Sequence, residues 1–278
     1  MKPVEAAVEI AKSFGLEICE PQLLRSTNNV VAWLRPSSVV AKVGIRHQPE
    51  FCWEIRIASE LHAIGAPVVE PASEIPSVVH SRNEFDITYW RYYPQPTVVD
   101  IAASKLASAL WRLHEAYAHI SAELKADLPS YSVELECVSH LLRESERLIL
   151  LADADRELLL NAFNWLNERL QNLSRSHTHV TIHGSPHSYN ILVVDNEPRF
   201  IDFETTCVGP LEWDLAHMDH DVSRAYTPVP NEELLETCRK MISVITAAWC
   251  WADADRGDLR HHAEVHLTKV KRWFQNDV

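Results

Sequence analysis

The sequence predicts an α+β fold in which a small, β-rich N-terminal part precedes a larger, mostly helical C-terminal part. Short β-prone runs and one helical stretch fill the first part, whereas apolar residues recur at helical spacing along most of the second. A chain of 278 residues, of which 46% are hydrophobic, can bury a sizeable core, and no internal repeat or low-complexity linker divides it further. We therefore expect two lobes, residues 1–93 and residues 94–278.

The β-prone runs of the first part are residues 30–34, 38–43 and 85–90, and a helix is expected over residues 54–64. The proline-containing stretch YYPQP, from Tyr92 to Pro96, is typical of a junction and marks the change of pattern. In the second part, the apolar residues of three predicted helices are Leu106, Leu110, Leu113 and Tyr117, then Leu159, Phe163, Leu166, Leu170 and Leu173, then Leu234, Cys238, Met241 and Ile245.

A β-hairpin is predicted between the second and third of these helices. The turn-forming residues Asp195-Asn196-Glu197 separate two short apolar runs. If the turn centres on Asn196, antiparallel pairing brings Asn190 and Asp202 together on opposite strands. An amide oxygen and a carboxylate suit Mg²⁺, which takes a few protein oxygens and completes its shell with water and nucleotide phosphates. The alternative is a plain hairpin in which Asn190 caps a loop and Asp202 is solvated.

Three motifs around this hairpin occur in a fixed order: HGSPHSYN at residues 183–190, IDFE at residues 201–204 and GPLEWDLA at residues 209–216. Together they resemble the aminoglycoside phosphotransferase and choline kinase family, whose pattern is His-Gly-Asp, four variable residues and Asn, then Ile-Asp-Phe, then Gly-Pro and Asp-Leu-Ala. One element differs, because Ser185 stands where the family has Asp. The resemblance implies a protein-kinase-like fold, ATP and Mg²⁺ as cofactors held with the help of Asn190 and Asp202, and a small-molecule phosphoryl acceptor.

The resemblance also implies roles in the N-terminal lobe, residues 1–93, which would bind the nucleotide. Lys42 lies in an apolar strand, as does the family's phosphate-contacting lysine, and Glu54 is implied to pair with it from the following helix. Glu60 is the rival for this pairing. Taken alone, Lys42 and Glu54 would each be read as a solvent-facing residue.

Two further segments of this lobe are implied to contact the nucleotide. Residues 25–29, RSTNN, stand where a glycine-rich loop would cover the phosphates, and hydroxyl and amide side chains such as Ser26 can donate to phosphate instead. Residues 91–94 stand where the family's hinge binds adenine, so Tyr92 is implied to contact the base. The alternative for Tyr92 is an aromatic packing cluster.

Replacement of the loop carboxylate by Ser185 predicts reduced activity. In the family, that Asp orients the acceptor hydroxyl and takes its proton, and a positioned base contributes about 10² to 10⁴-fold. Serine cannot act as a base at neutral pH, but the loose transition state of phosphoryl transfer depends mainly on positioning and metal charge. A serine hydrolase is disfavoured, since its elbow needs Gly-x-Ser-x-Gly and the flanking positions here are His183 and His187.

Substitutes for the missing base are visible nearby. His187 could accept the proton if it points into the cleft, or it could simply order the loop. Glu204 would face the same side of its strand as Asp202, as a second metal ligand, a substitute base or a plain loop acid. An acceptor that needs little deprotonation is a third route. The resemblance implies that His183 holds the catalytic loop and that Asp214 braces it from a buried position.

Composition limits the other partners. The formal charge of −13 disfavours nucleic acid and is compatible with a cationic acceptor. No apolar run of about 18 residues and no N-terminal signal is present, so we expect a cytoplasmic protein that does not enter membranes. Six dispersed cysteines without a Cys-x-x-Cys pair are typical of free thiols.

The function expected from these observations is transfer of the γ-phosphoryl group of ATP to a hydroxyl of a small polar molecule, such as an amino sugar, an aminoglycoside-like compound or an amino alcohol. The alternative is a catalytically impaired relative that binds a nucleotide or metabolite and acts as a regulator or scaffold. The intact Asn190 and Asp202 pair favours the enzyme, whereas Ser185 favours the impaired relative.

Overall fold

The structure, a computed structural model, describes residues 2–26, 28–47, 49–95, 101–255 and 257–277. Thr27 of the predicted phosphate loop and Pro96 of the predicted lobe junction lie outside these residues. The chain forms two compact units: Met1–Leu128 with His183–Thr206 and Ala225–Thr227, and Pro129–Ile182 with Cys207–Arg224 and Pro228–Val278. The lobe boundary after residue 93 stays a prediction. In the described part of the chain, no helix has both the length and the apolar character needed to cross a membrane.

The first unit contains an antiparallel five-stranded sheet. Its strands are β1 (Ile18–Ser26), β2 (Val30–Pro36), β3 (Val39–Ile45), β4 (His80–Arg82) and β5 (Phe85–Arg91), and their order in the sheet is β1-β2-β3-β5-β4. The three predicted β runs are confirmed as β2, β3 and β5. Strand β1 was not predicted because only Ile18 of its nine residues is buried, which leaves no alternation of apolar and polar residues to read.

Helices cover this sheet and extend the unit. They are α1 (Pro3–Ser13), α2 (Pro49–Ala63), α3 (Ala103–Tyr117) and α4 (Ala122–Asp127). Helix α1 buries Ala6, Ala7 and Ala11 in one apolar cluster with Leu34 and Val39 of the sheet. Helix α2 begins earlier than predicted and so carries Glu54 in its interior rather than at its first residue.

The predicted hairpin is present, with a shifted register. It consists of β7 and β8, which follow β6 (Val180–Ile182) in the chain and span Ile191–Val194 and Glu197–Phe200. Asp195 and Asn196 form a two-residue turn with φ of 53° and 62°, the left-handed conformation that favours Asn and Asp. The turn centres between these two residues, so the prediction that it centres on Asn196 is wrong. Asn190 therefore faces Ile201, whose N–H donates to the Asn190 carbonyl at 3.0 Å, and Asp202 lies one residue further on.

The second unit is mainly helical. Besides the antiparallel pair of β6 and β9 (Cys207–Gly209), it contains α5 (Ser132–Arg143), α6 (Asp153–Ser174), α7 (Leu211–Ala216), α8 (His220–Ala225), α9 (Glu232–Ala252) and α10 (Gly257–Asp277). The predicted helical periodicities at residues 159–173 and 234–245 fall on α6 and α9, and their apolar residues form one core. The α+β fold predicted from the sequence is thus confirmed.

Candidate active site

Lys42 and Glu54 form a buried ion pair at the centre of the first unit. Lys42 lies in β3, flanked by β2 and β5, and its Nζ is 2.8 Å from Oε1 of Glu54 on α2. The side chains are only 9% and 1% exposed. The rival Glu60 instead accepts hydrogen bonds from the backbone N–H and the hydroxyl of Ser121, at 2.6 and 2.8 Å. The structure therefore brings Glu54, and not Glu60, to the lysine.

Two further carboxylates reach the same ammonium. Oδ1 of Asp202 and Oε1 of Glu204 lie 2.7 and 2.9 Å from Lys42 Nζ. The predicted strand ends before Asp202, which adopts a left-handed conformation with φ of 68°, and Glu204 lies in the 3-10 helix Phe203–Thr205. The prediction that Glu204 continues a strand is thus wrong, because the backbone turns at Asp202. The turn nevertheless leaves both carboxylates on Lys42.

The charges of this cluster are unbalanced, since one ammonium faces three carboxylates. Burial alone would lower the pKa of Lys42, but Glu54, Asp202 and Glu204 outweigh it and hold that pKa above its usual value. Burial raises the pKa of Glu54 and of Glu204, and the neighbouring carboxylates add to this rise. Asp202, despite its burial, keeps a lowered pKa because of Lys42. When all three carboxylates are ionised, the cluster carries a net negative charge that a bound cation could neutralise.

Two residues that the motifs did not indicate hold Glu204 in place. Asn29 Nδ2 donates to Glu204 Oε1 at 2.8 Å, and Trp53 Nε1 donates to its backbone carbonyl at 3.1 Å. Asn29 also packs over Gly44, where an added Cβ would lie 2.8 Å from Asn29 Oδ1. Asn29 belongs to the segment predicted to cover the phosphates, so that segment is tied directly to the cluster. Ser26, at the end of β1, lies in the same segment, and its phosphate contact stays a prediction.

A chain of hydrogen bonds fixes the residue that replaces the usual aspartate. Thr205 Oγ1 donates to the carbonyl of His183 at 3.1 Å and lies 2.6 Å from Ser185 Oγ. His183 itself is fully buried, with Nε2 3.0 Å from the carbonyl of Ile201, so Nε2 must carry the proton. Its Nδ1 then accepts from the backbone N–H of Ser185 at 3.4 Å. These contacts join His183 to the loop, and its role in holding the loop stays a prediction. Thr205 is a further residue that no motif indicated.

His187 and Asn190 are arranged around the same loop. Asn190 Nδ2 donates to the carbonyl of Ser185 at 3.0 Å and lies 3.5 Å from His187 Nε2. Burial lowers the pKa of His187, and His183 and Arg25 lower it further, so the ring is neutral at pH 7. An amide nitrogen can only donate, hence His187 Nε2 acts as the acceptor of Asn190 Nδ2. This geometry favours loop ordering over proton acceptance as the role of His187.

The oxygen donors near the hairpin fit a hard cation. Asn190 is 3% exposed, and its Oδ1 is buried without a hydrogen-bond partner among the described residues. The carboxylates of Asp202 and Glu204 keep 28% and 22% exposure. No group of three or more His, Cys, Asp and Glu side chains arranged to hold a metal occurs in the described part of the chain. The donors suit Mg²⁺, which needs one or two protein oxygens when phosphates and water supply the rest.

Tyr92 and Asp214 are two further residues to which the resemblance gave roles. The Tyr92 ring stacks on the Trp33 ring with centroids 3.9 Å apart, and the backbone N–H of Tyr92 donates to the carbonyl of Ser38 at 2.8 Å. The backbone N–H of Tyr92 is therefore engaged, and contact with a nucleotide base stays a prediction. Asp214 is fully buried in α7 of the second unit, and its bracing role stays a prediction as well.

A cavity of about 840 Å³ lies in the second unit. Side chains of both charges line it, and none is a predicted site residue: Trp165, Arg169, His220, Glu232, Glu233, Glu236, Thr237, Arg239 and Lys240. Because no motif residue contributes to this cavity, we place the candidate site at the Lys42 cluster and the loop that carries Ser185.

Known proteins resemble this chain in structure rather than in overall sequence. No curated protein matches it. Spectinomycin phosphotransferase APH(9)-Ia, solved with ADP and spectinomycin, superposes with a TM-score of 0.71 at 16% identity, over 96% of this chain and 93% of that chain. APH(2")-IIia, solved with GDP and kanamycin, superposes with a TM-score of 0.67 at 14% identity, over 100% of both chains. A choline/ethanolamine kinase family protein from Mesorhizobium loti superposes with a TM-score of 0.65 at 14% identity, over 96% of this chain and 94% of that chain.

These similarities establish the fold, and the family follows from a separate match. The model of the phosphotransferase enzyme family covers residues 30–238, from β2 into α9. The matched region includes Lys42, Glu54, the loop that carries Ser185 and the hairpin. The resemblance read from the three motifs is thereby confirmed, and the chain belongs to the phosphotransferase enzyme family.

Proposed function

We propose that this protein transfers the γ-phosphoryl group of ATP, bound with Mg²⁺, to a hydroxyl of a small polar molecule. The observation that carries the proposal is the buried contact of Lys42 with Glu54, at 2.8 Å, beside Asp202 at 2.7 Å. A lysine held in this way presents its charge at one fixed point, which is what phosphate binding requires. The family membership supports the same reaction class.

Each residue then has a defined task. Glu54 orients the Lys42 ammonium, which donates to the nucleotide phosphates once these displace part of its carboxylate contacts. Asn190 and Asp202, with Glu204, would hold the metal, which supplies charge neutralisation to the phosphates when bound. Asn29 and Trp53 keep Glu204 in place through its carboxylate and carbonyl. His183 and His187 order the loop around Ser185.

An amino-bearing acceptor is the substrate class that the comparisons support best. The structural neighbours include proteins solved with spectinomycin and with kanamycin, and a choline/ethanolamine kinase family protein. The formal charge of −13 is compatible with a cationic acceptor. We propose an amino sugar, an aminoglycoside-like compound or an amino alcohol, phosphorylated on a hydroxyl.

One observation favours a second candidate, a protein that binds nucleotide but is catalytically impaired. The hydrogen-bond chain from Ser185 runs through Thr205 and ends at the carbonyl of His183. A carbonyl cannot take up a proton, so this chain provides no general base. Such a protein would bind ATP with Mg²⁺ and show no acceptor-stimulated turnover.

The test combines calorimetry of ATP and GTP binding, with and without Mg²⁺, with turnover in the presence of kanamycin, spectinomycin, choline or ethanolamine. Asp202→Asn is expected to reduce Mg²⁺-dependent nucleotide binding and turnover by at least about tenfold. Asp195→Asn makes the same chemical change in the exposed turn of the same hairpin and serves as the control.

Mg²⁺-dependent binding with acceptor-stimulated turnover is the result expected of the enzyme. Binding without turnover on any acceptor would favour the impaired protein. Equal behaviour of the Asp202→Asn and Asp195→Asn variants would show that the metal assignment is wrong.

A further inference from the structure

The Ser185 hydroxyl is the least constrained part of a tightly held residue. Its backbone N–H donates to His183 Nδ1 at 3.4 Å, and its carbonyl accepts from Asn190 Nδ2 at 3.0 Å. Both ends of the residue are therefore fixed by side chains of the loop. The hydroxyl, by contrast, contacts the Thr205 hydroxyl, at 2.6 Å.

The direction of this contact follows from the partners of Thr205. Thr205 Oγ1 lies 3.1 Å from the carbonyl of His183, which can only accept, so the Thr205 proton is used there. Thr205 Oγ1 must then accept the proton of Ser185. As a result, Ser185 Oγ can offer only its lone pairs to a bound molecule.

The approach of Thr205 to the loop is built into the backbone. Gly184 has φ of +90°, and a Cβ at this position would lie 2.1 Å from the carbonyl oxygen of Thr205. The 3-10 helix Phe203–Thr205 therefore touches the loop at a distance that only glycine allows. This contact keeps the Ser185 and Thr205 hydroxyl groups within hydrogen-bond distance of each other.

We infer that Thr205 is a positioning residue that presents Ser185 Oγ as a hydrogen-bond acceptor for the hydroxyl of the phosphoryl acceptor, so that the loop orients its substrate without taking its proton. This inference rests on the proposed function. The acceptor oxygen forms a bond to the γ-phosphorus of ATP, and the bond to the β,γ-bridging oxygen breaks, leaving its electron pair on ADP. The acceptor proton passes to a non-bridging oxygen of the transferred phosphoryl group and then to water.

The inference predicts that Thr205 acts on turnover only through Ser185. Turnover of Mg·ATP by the full chain is measured with water and with kanamycin as acceptors. Thr205→Val, which keeps the shape and removes the hydroxyl, is expected to lower kcat about three- to tenfold, the value of one hydrogen bond. Thr205→Ser is expected to restore it, and Thr178→Val, at an exposed position, is the matched control.

A double-mutant cycle separates positioning from a structural role. In the Ser185→Ala background, Thr205→Val is expected to change kcat no further, because the hydroxyl on which it acts is gone. The same loss in both backgrounds, or no loss at all, would overturn the inference. Thr205→Ala makes the same comparison should Thr205→Val not fold.

Calorimetric measurement of ATP binding distinguishes failure of this inference from failure of the proposed function. ATP affinity unchanged in Thr205→Val, with kcat reduced, supports the inference. Lack of ATP binding by the unmodified protein would overturn the proposed function, and the inference with it. Binding with equal turnover in all variants would overturn the inference alone.

Discussion

Replacement of Lys42 by methionine should destabilise the protein because it leaves buried negative charge behind. Methionine has a similar length and removes only the ammonium. Glu54, at 1% exposure, then loses the partner of its Oε1, while its Oε2 already lacks a hydrogen-bond partner among the described residues. The folded state would thus contain a carboxylate that neither water nor the chain stabilises.

The size of the loss can be worked from the contact distances. The attraction between the Lys42 ammonium and the Glu54 carboxylate, 2.8 Å apart, amounts to about 6 kcal/mol at an effective dielectric constant of about 20. Desolvation offsets part of this, and breaking one side of a buried pair typically costs about 3 to 5 kcal/mol. The raised pKa of Glu54 lets it take up a proton more readily, so we expect the lower end, about 3 kcal/mol. For a chain of this size, that lowers Tm by roughly 6 °C.

The assay is thermal and urea unfolding of the unmodified protein, Lys42→Met, Glu54→Gln and the double variant. Glu54→Gln alone should cost about 1 kcal/mol, since Lys42 keeps Asp202 and Glu204. In the double variant no buried carboxylate is stranded at position 54, so it should recover about 2 kcal/mol of the loss caused by Lys42→Met.

Lys105→Met is the matched control. Its ammonium contacts Glu197 at 2.8 Å, but the two side chains are 33% and 48% exposed, so water and salt screen the pair and its loss should destabilise the protein little. If Lys42→Met were no more destabilising than this control, or if adding Glu54→Gln to Lys42→Met lowered stability further, Lys42 would not be compensating buried negative charge.

Two further predictions concern the loop and the C-terminal helix. Gly184→Ala should lower the free energy of unfolding by about 3 kcal/mol or more and reduce turnover, since the new Cβ would lie 2.1 Å from the Thr205 carbonyl oxygen. Gly65 is also at positive φ, but an added Cβ there would have nothing within 4 Å. Gly65→Ala should therefore lower the free energy of unfolding by only about 1 to 2 kcal/mol. Burial, with Lys269, lowers the pKa of His266 to about 4. Stability that is present above pH 6.5 should therefore be lost as the pH falls towards 4, because the unfolded chain takes up a proton that the folded chain does not. His266→Gln should flatten the dependence of Tm on pH.

Sequence patterns located the parts of the site that lie on regular elements. Lys42 and Glu54 could be found through the family resemblance, whereas their positions in a strand and a helix, taken alone, predicted solvent-facing residues. The hairpin could be found from its turn residues, but its register could not. The turn uses two residues rather than three, and the sequence Asp195-Asn196-Glu197 permits either.

Residues that act through hydrogen bonds across the fold gave no comparable signal. Asn29 contacts Glu204 from a position far away in the sequence, and Trp53 contacts the same residue from α2. Thr205 follows the IDFE motif directly, yet its bond to Ser185 depends on the left-handed turn at Asp202, which no periodicity reveals. The residue types are ordinary in loops, so only the three-dimensional arrangement shows what they do.

The Lys42 cluster is better explained by a ligand than by the stability of the fold. A buried ion pair contributes little net stability compared with a well-packed apolar pair, and here one lysine faces three carboxylates. If the cluster served only to join β3 to α2, apolar side chains would do so at lower cost. Under the proposed function, the nucleotide phosphates would take contacts of Lys42 and the cation would take contacts of Asp202, so that each of these charged groups would face a ligand of opposite charge. We therefore propose that Ser185 lowers the rate at a site that keeps the residues expected to bind nucleotide and metal, Lys42, Asn190 and Asp202.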